Sequence, residues 1–340
     1  MTKSQEKRKE RRRRKLFLAI IMIMFVGIVL TASTYAWFTA NRTVTVESID
    51  VTVSTSEGLQ ISVDASNWKS IVTNADIKGA SWTGVKNQIP LTDDGNITKP
   101  VSTVGTIDSN GLMEMYLGTV KTSAADGDNI LTAKKTTEAD GNSTSGDFVV
   151  FDLFFRSSAA QQVYLTSGSK VVASDGSASD GIQNAARVAF INEGSVDYGA
   201  TPATAQGKKE GNLLWIWEPN YDVHTEAGVS NALTVYGTTV GQTGGTKLAY
   251  KGVKAPIAEA NNIKLNSTDS NYFGDVTTIG SLASGIPDAT YLSAFNLPVG
   301  ITKIRIYMWI EGQDVDCEDR ASGGSLTYDL QFSIDNHKSS

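Results

Sequence analysis

Leu326-Thr327-Tyr328-Asp329-Leu330-Gln331-Phe332-Ser333-Ile334 sets an apolar side chain at every second position and a polar one between. A period of two marks a strand with one face in a core and the other in water. Upstream, Ile304, Ile306, Met308 and Ile310 alternate with Lys303, Arg305, Tyr307 and Trp309. Two amphipathic strands joined by a loop predict antiparallel neighbours.

The same signal recurs towards the N-terminus. Val44 and Val46, then Ile49, Val51 and Val53, alternate with one phase slip at Glu47-Ser48, which predicts a bulged strand. Leu59, Ile61 and Val63 repeat the pattern after the turn-prone Ser54–Gly58. Phe148–Phe155 (FVVFDLFF) is almost continuously apolar, as in a strand covered on both faces. Residues 182–191 end as a strand, and Leu213–Trp217 (LLWIW) is a short aromatic one stopped by Pro219. Tracts of Gly, Ser, Thr, Asn and Asp at 121–146 and 170–182 read as exposed loops. Residues 193–290 show little periodicity and read as an insertion. No helical stripe of normal length follows residue 38. Short strands with polar turns predict an all-β antiparallel sandwich with long loop insertions.

The first 36 residues are of another kind. Residues 1–15 hold nine basic side chains, Arg11–Arg14 among them, and form a basic cytoplasmic n-region. Residues 16–36 form a hydrophobic helix, either a signal peptide or a membrane span, with fifteen uncharged residues from Leu16 to Leu30. Positive, apolar, then small residues is the order of an export signal. A spanning helix needs about 20 apolar residues. Thr34 and Ala36 supply small residues for a peptidase cut between Ala36 and Trp37, which favours cleavage; a retained helix would keep the chain on the membrane. Residues 37–340 then form an extracytoplasmic β domain, secreted or on the cell surface. Signal peptidase and the secretion machinery are its expected partners. A pilin-type leader fits poorly, because it needs a Gly before the cut and a Glu soon after, whereas Lys15 precedes the run and the first acid after it is Glu47.

Of 30 basic and 36 acidic side chains, nine and two lie in the leader, so 21 and 34 remain and the net charge of the rest is −13. Such a surface resists nucleic acid and anionic lipid. The single cysteine, Cys317, permits no internal disulfide, so stability rests on a large core. His224 and His337 are the only histidines. No zinc-protease motif, nucleophile elbow or phosphate loop is present; Gly237–Lys247 lacks the Gly-Lys-Ser/Thr of the last. The composition points to no enzyme.

Thr34-Tyr35-Ala36-Trp37-Phe38, followed by the alternating Val44–Val53, resembles the start of the TasA/camelysin family of bacterial exported surface and biofilm-matrix proteins. Phe148–Ser157 (FVVFDLFFRS), Arg187–Phe190 with Trp215–Asn220 (RVAF and WIWEPN), and Trp309–Cys317 (WIEGQDVDC) are similar to uncharacterised surface proteins of Gram-positive bacteria. The resemblance implies a jelly-roll-like sandwich, a dedicated signal peptidase and self-assembly by lending an N-terminal strand to the next subunit. The expected donor is Trp37–Val53. Trp37 and Phe38 would be its anchors, and Val44, Val46, Ile49 and Val51 would fill a neighbour's groove. The other reading of Val44–Val53 is the first strand of its own sandwich.

Asp314, Asp316, Glu318 and Asp319, with Glu311, place five carboxylates in nine residues. No cofactor is expected, but calcium is the cation such a loop would take; Glu218 and Asp222 are weaker candidates. The alternative is a solvated connecting loop. Two further readings compete with a structural matrix protein. One is a tethered or secreted adhesin whose Trp68, Trp82, Trp215, Trp217 and Tyr221 stack on glycan. The other is a hydrolase using two carboxylates, although no spacing selects a pair.

Overall fold

In a computed structural model, residues 37, 43–53, 58–90, 96–123, 126–138, 141, 143–174, 180–244, 247–265 and 267–338 are described. Ala36, Phe38 and the predicted leader lie outside them. The strands, in chain order, are β1 (Val44–Val53), β2 (Leu59–Ser62), β3 (Ile71–Val72), β4 (Asn96–Thr98), β5 (Pro100–Ser102), β6 (Met115–Thr122), β7 (Asn129–Thr136), β8 (Val149–Ser157) and β9 (Gln161–Leu165). They continue with β10 (Lys170–Ala173), β11 (Ala186–Val196), β12 (Asn212–Glu218), β13 (Lys251–Val253), β14 (Phe273–Asp275), β15 (Thr278–Gly280), β16 (Leu292–Leu297), β17 (Gly300–Glu311) and β18 (Ser325–Ser333). Short helices α1 (Asn74–Gly79), α2 (Pro202–Gln206) and α3 (Glu226–Tyr236) lie between strands. The chain is mostly β. Among the described residues no helix is long and apolar enough to cross a membrane.

Two sheets carry the fold. The first runs β16-β9-β18-β1-β3, with β4 also on β1 and β10 on β18. The second runs β15-β12-β11-β17-β5-β6-β7, with β8 on β17 and β2 on β8. Their facing side chains merge in one core. Phe155 and Phe190 of the second sheet meet Phe295 and Phe332 of the first, with ring centroids 5.2 to 6.2 Å apart.

The alternation in β17 and β18 is present, but the two strands are not neighbours. β17 lies between β11 and β8, whereas β18 lies beside β1, β9 and β10 in the other sheet. Alternation reports which face enters a core; it does not name the partner. The segment between the two strands therefore crosses from sheet to sheet. The sheets are also mixed rather than antiparallel: β1 pairs parallel with β18, β5 with β17, and β12 with β15. A parallel pair needs a long connection, and for β1 and β18 that connection is almost the whole domain.

β17 is buried along its entire length. Ile304, Ile306, Met308 and Ile310 face the shared core, while Tyr307 and Trp309 enter a second cluster with Phe148, just before β8, and Val150 of β8. Ile301 joins Phe154 in a third cluster on that same outer face. The predicted polar face is thus an interior one, and Lys303 and Arg305 are buried within it.

Two predicted loops contain strands. β7 forms a hairpin with β6, and β10 pairs with β18. Both are rich in Thr, Ala or Lys and border the sheets, so their apolar pattern is thin. The segment 193–290 is only partly an insertion: β11 extends to Val196, β12 pairs with β11, and β15 extends the same sheet.

Candidate functional site

Trp37 is buried. Its ring fits between two backbone walls, Gly118 of β6 and Gly312 just after β17. A Cβ added at Gly118 would lie 2.4 Å from the ring, and one at Gly312 would lie 2.2 Å from it. No larger residue fits at either wall without displacing the indole. Tyr116, Leu131, Ile257 and Phe273 complete an apolar lining. The indole N–H, which needs a partner when buried, donates to Gln313 Oε1 at 3.2 Å.

β1 follows. Val44, Val46, Ile49 and Val51 are buried in the shared core. The register of β1 against β18 shifts between Val46 and Ser48, where the sequence slips phase. The structure thus places Val44–Val53 inside its own sheet, with Trp37 seated on its own chain.

The crossover after β17 supplies one wall and the polar partner of the Trp37 slot, and it carries the acidic run. Asp314, Asp316 and Glu318 are buried, so this is no solvated loop. Asp314 Oδ2 accepts from Arg187 Nη2 at 2.5 Å, and the same nitrogen donates to Glu218 Oε1 at 2.9 Å. Arg187 Nη1 donates to the Asn184 and Ala186 carbonyls, and its guanidinium lies 5.3 Å from the centre of the Tyr250 ring. Asp316 caps the start of α3, accepting from Thr225 N at 2.8 Å and Thr225 Oγ1 at 2.9 Å, with His224 Nδ1 at 2.9 Å. Asn231 and Tyr236 of α3 donate to the carbonyls of Val315 and Gln313. Crossover, helix and Trp37 are therefore bonded in series.

Burial sets the protonation of this region. It pushes the Asp314 carboxyl up to about 6 against the pull of Arg187, and Glu311 up to about 7 despite bonds from Trp309 and Gln313. Burial lowers His224, but the bond to Asp316 outweighs it and the imidazole lies above its ordinary value. Asp314 and Asp316 thus have protein donors and a buried cation. Among the described residues no group of three or more His, Cys, Asp or Glu side chains converges as a metal set.

The segments FVVFDLFFRS, RVAF, WIWEPN and WIEGQDVDC come together here and beside it. Arg187, Glu218 and Asp314 join three of them. Asn220, at φ 58°, donates to the Val171 and Gln183 carbonyls. The fourth supplies Asp152, centre of a charged box that the sequence reading missed. Asp152 is fully buried; Arg305 Nε and Nη2 donate to its two oxygens at 2.8 and 3.0 Å, and Lys303 Nζ lies 3.1 Å from Oδ2. Glu193 Oε1 and Glu138 Oε1 lie 3.7 and 3.6 Å from Arg305. A lone acid inside an apolar run was the available signal, since a buried carboxylate needs a cation.

The aromatic residues do not form one platform. Trp215 and Trp217 are buried and donate to Ala294 O and Ser281 Oγ. The Trp68 face is covered by the Arg156 guanidinium, 4.3 Å from the ring centre. Trp82 packs edge-on to Phe154, and Tyr221 lies against Gly280. Cys317 is buried and in no disulfide. No known family, curated protein or solved structure matches this chain.

Proposed function

We propose that this is an exported, non-enzymatic structural protein of a cell surface or extracellular matrix, with a jelly-roll-like sandwich built to assemble through its N-terminal segment. Ala36 is the last residue of the leader, and Trp37 begins the working chain. The observation that carries this reading is the Trp37 slot. An aromatic at the very start of the domain is seated between two glycines 81 and 275 positions further on, and the strand that follows it lies within a sheet. A segment held by a slot and a strand position occupies the equivalent places on a second copy equally well. Exchange from copy to copy gives a head-to-tail, open-ended chain.

Electron microscopy and sedimentation of the secreted protein test the reading. Filaments are expected from the wild type and folded monomers from Trp37→Ala. A wild type that stays monomeric at high concentration, or a Trp37→Ala protein that polymerises equally, contradicts it. The glycan-binding alternative has less support, because Trp215 and Trp217 lie in the interior and Trp68 is capped by arginine.

A further inference from the structure

We propose that Lys303 and Asp152 join covalently, Lys303 Nζ forming an amide with the Asp152 side chain and stapling β17 to β8. The proposal stands apart from the assembly reading. Register pairs Arg305 with Asp152 and Lys303 with Phe154, so Lys303 is the diagonal neighbour of Asp152 on one face of adjacent strands. Its Nζ reaches to 3.1 Å from Oδ2, and both side chains are buried. The Gln206 and Lys208 carbonyls, each 3.0 Å from Nζ, hold the amine in place, and the Trp82 ring centre lies 5.0 Å from it. Amine and carboxylate are thus held in contact by the fold itself, the arrangement that proximity catalysis needs.

The surroundings supply proton transfer. Two cations, Lys303 and Arg305, share a dry box with three acids, Asp152, Glu193 and Glu138; burial raises Glu138, so a proton there balances the charge and leaves the Glu193 carboxylate able to accept one. Glu193 occupies the bulge of β11 beside Lys303, between Asn192 and Gly194. Burial pushes its carboxyl up to about 7 and pushes the Lys303 amine down, which brings the two closer in proton affinity. Asp152 itself is held low, because Arg305 and Lys303 outweigh its burial.

The reaction starts from the ion pair. The Lys303 ammonium gives one proton to Glu193. The nitrogen lone pair attacks Asp152 Cγ and the N–C bond forms, while the Arg305 fork supports both oxygens as charge grows on them. The Glu193 proton and a second from the nitrogen pass to one oxygen, the C–O bond breaks, and that oxygen leaves as water. Ammonium plus carboxylate becomes amide plus water, with no oxidant or cofactor. The amide N–H keeps one carbonyl acceptor, Arg305 keeps Glu193 and Glu138, and two buried charges disappear.

Intact mass of the folded full-length protein is the test. The expected mass is one water below that calculated from the observed termini, with a branched peptide linking Lys303 to Asp152 in a digest. Glu193→Gln keeps the shape of the box and should restore the missing water in a folded chain. A folded wild type at its full calculated mass overturns the proposal, as does a water loss that maps to any other residue. The wild-type mass decides even if the variant fails to fold.

Discussion

Replacing Trp37 with alanine empties a slot whose two walls are backbone and cannot close over the gap. The expected cost is about 3–5 kcal/mol, in the range for a large aromatic removed from a core, read as a lower denaturant midpoint. Gly312→Val tests the same contact from the other side: its side chain overlaps the ring, and overpacking costs about 1–3 kcal/mol. Arg187→Met leaves Asp314 and Glu218 buried without their shared cation. Breaking such a group from one side costs about 3–5 kcal/mol, so that variant should unfold at a clearly lower denaturant concentration. If Arg187→Met melts as the wild type does, the arginine does not hold the crossover.

The end of β17 and the crossover after it carry one part of the pH dependence. Glu311 is raised from 4.5 to about 7 in the folded chain. Folding therefore favours its protonated form; the contribution is full below pH 4.5 and is lost as the pH rises through about 7. His224 is also raised, so its contribution is full below its ordinary 6.5 and is lost above its folded value. Urea midpoints should fall between pH 4.5 and 7, and Glu311→Gln should flatten that fall; an unchanged slope would remove Glu311 from the account. Much at this scale was legible. Period-two patterns located β1, β17 and β18, a continuous apolar run located β8, and the slip at Glu47-Ser48 coincides with a register shift of β1 against β18. Pairing was not legible, because alternation is blind to the neighbour. Nor was the burial of Lys303 and Arg305, since a paired cation and a solvated one look alike in sequence. Helix α3 did leave signals, Thr225 as N-cap and Gly237 in the left-handed conformation at its end, but its apolar stripe is weak.

In the whole molecule, the chain's first described strand lies parallel to its last, and the N-terminal tryptophan reaches a crossover 276 residues away. Closing the fold by a segment near its own start makes that segment the one to exchange under the proposed function, in which leader removal would free it. N-terminal sequencing of protein from the native cell surface should therefore begin at Trp37; a start at Met1 or Thr2 would mean a tethered domain. Locking β1 in place is the sharpest test of strand exchange. Thr52 and Gln331 are register partners on β1 and β18, and cysteines at both positions can bridge neighbouring strands. Filament formation by this double variant is then followed by electron microscopy with and without reductant. Monomers are expected when the bridge is formed and filaments once it is reduced. Filaments assembling from the oxidised, fully bridged protein would show that β1 stays at home, and would contradict strand exchange.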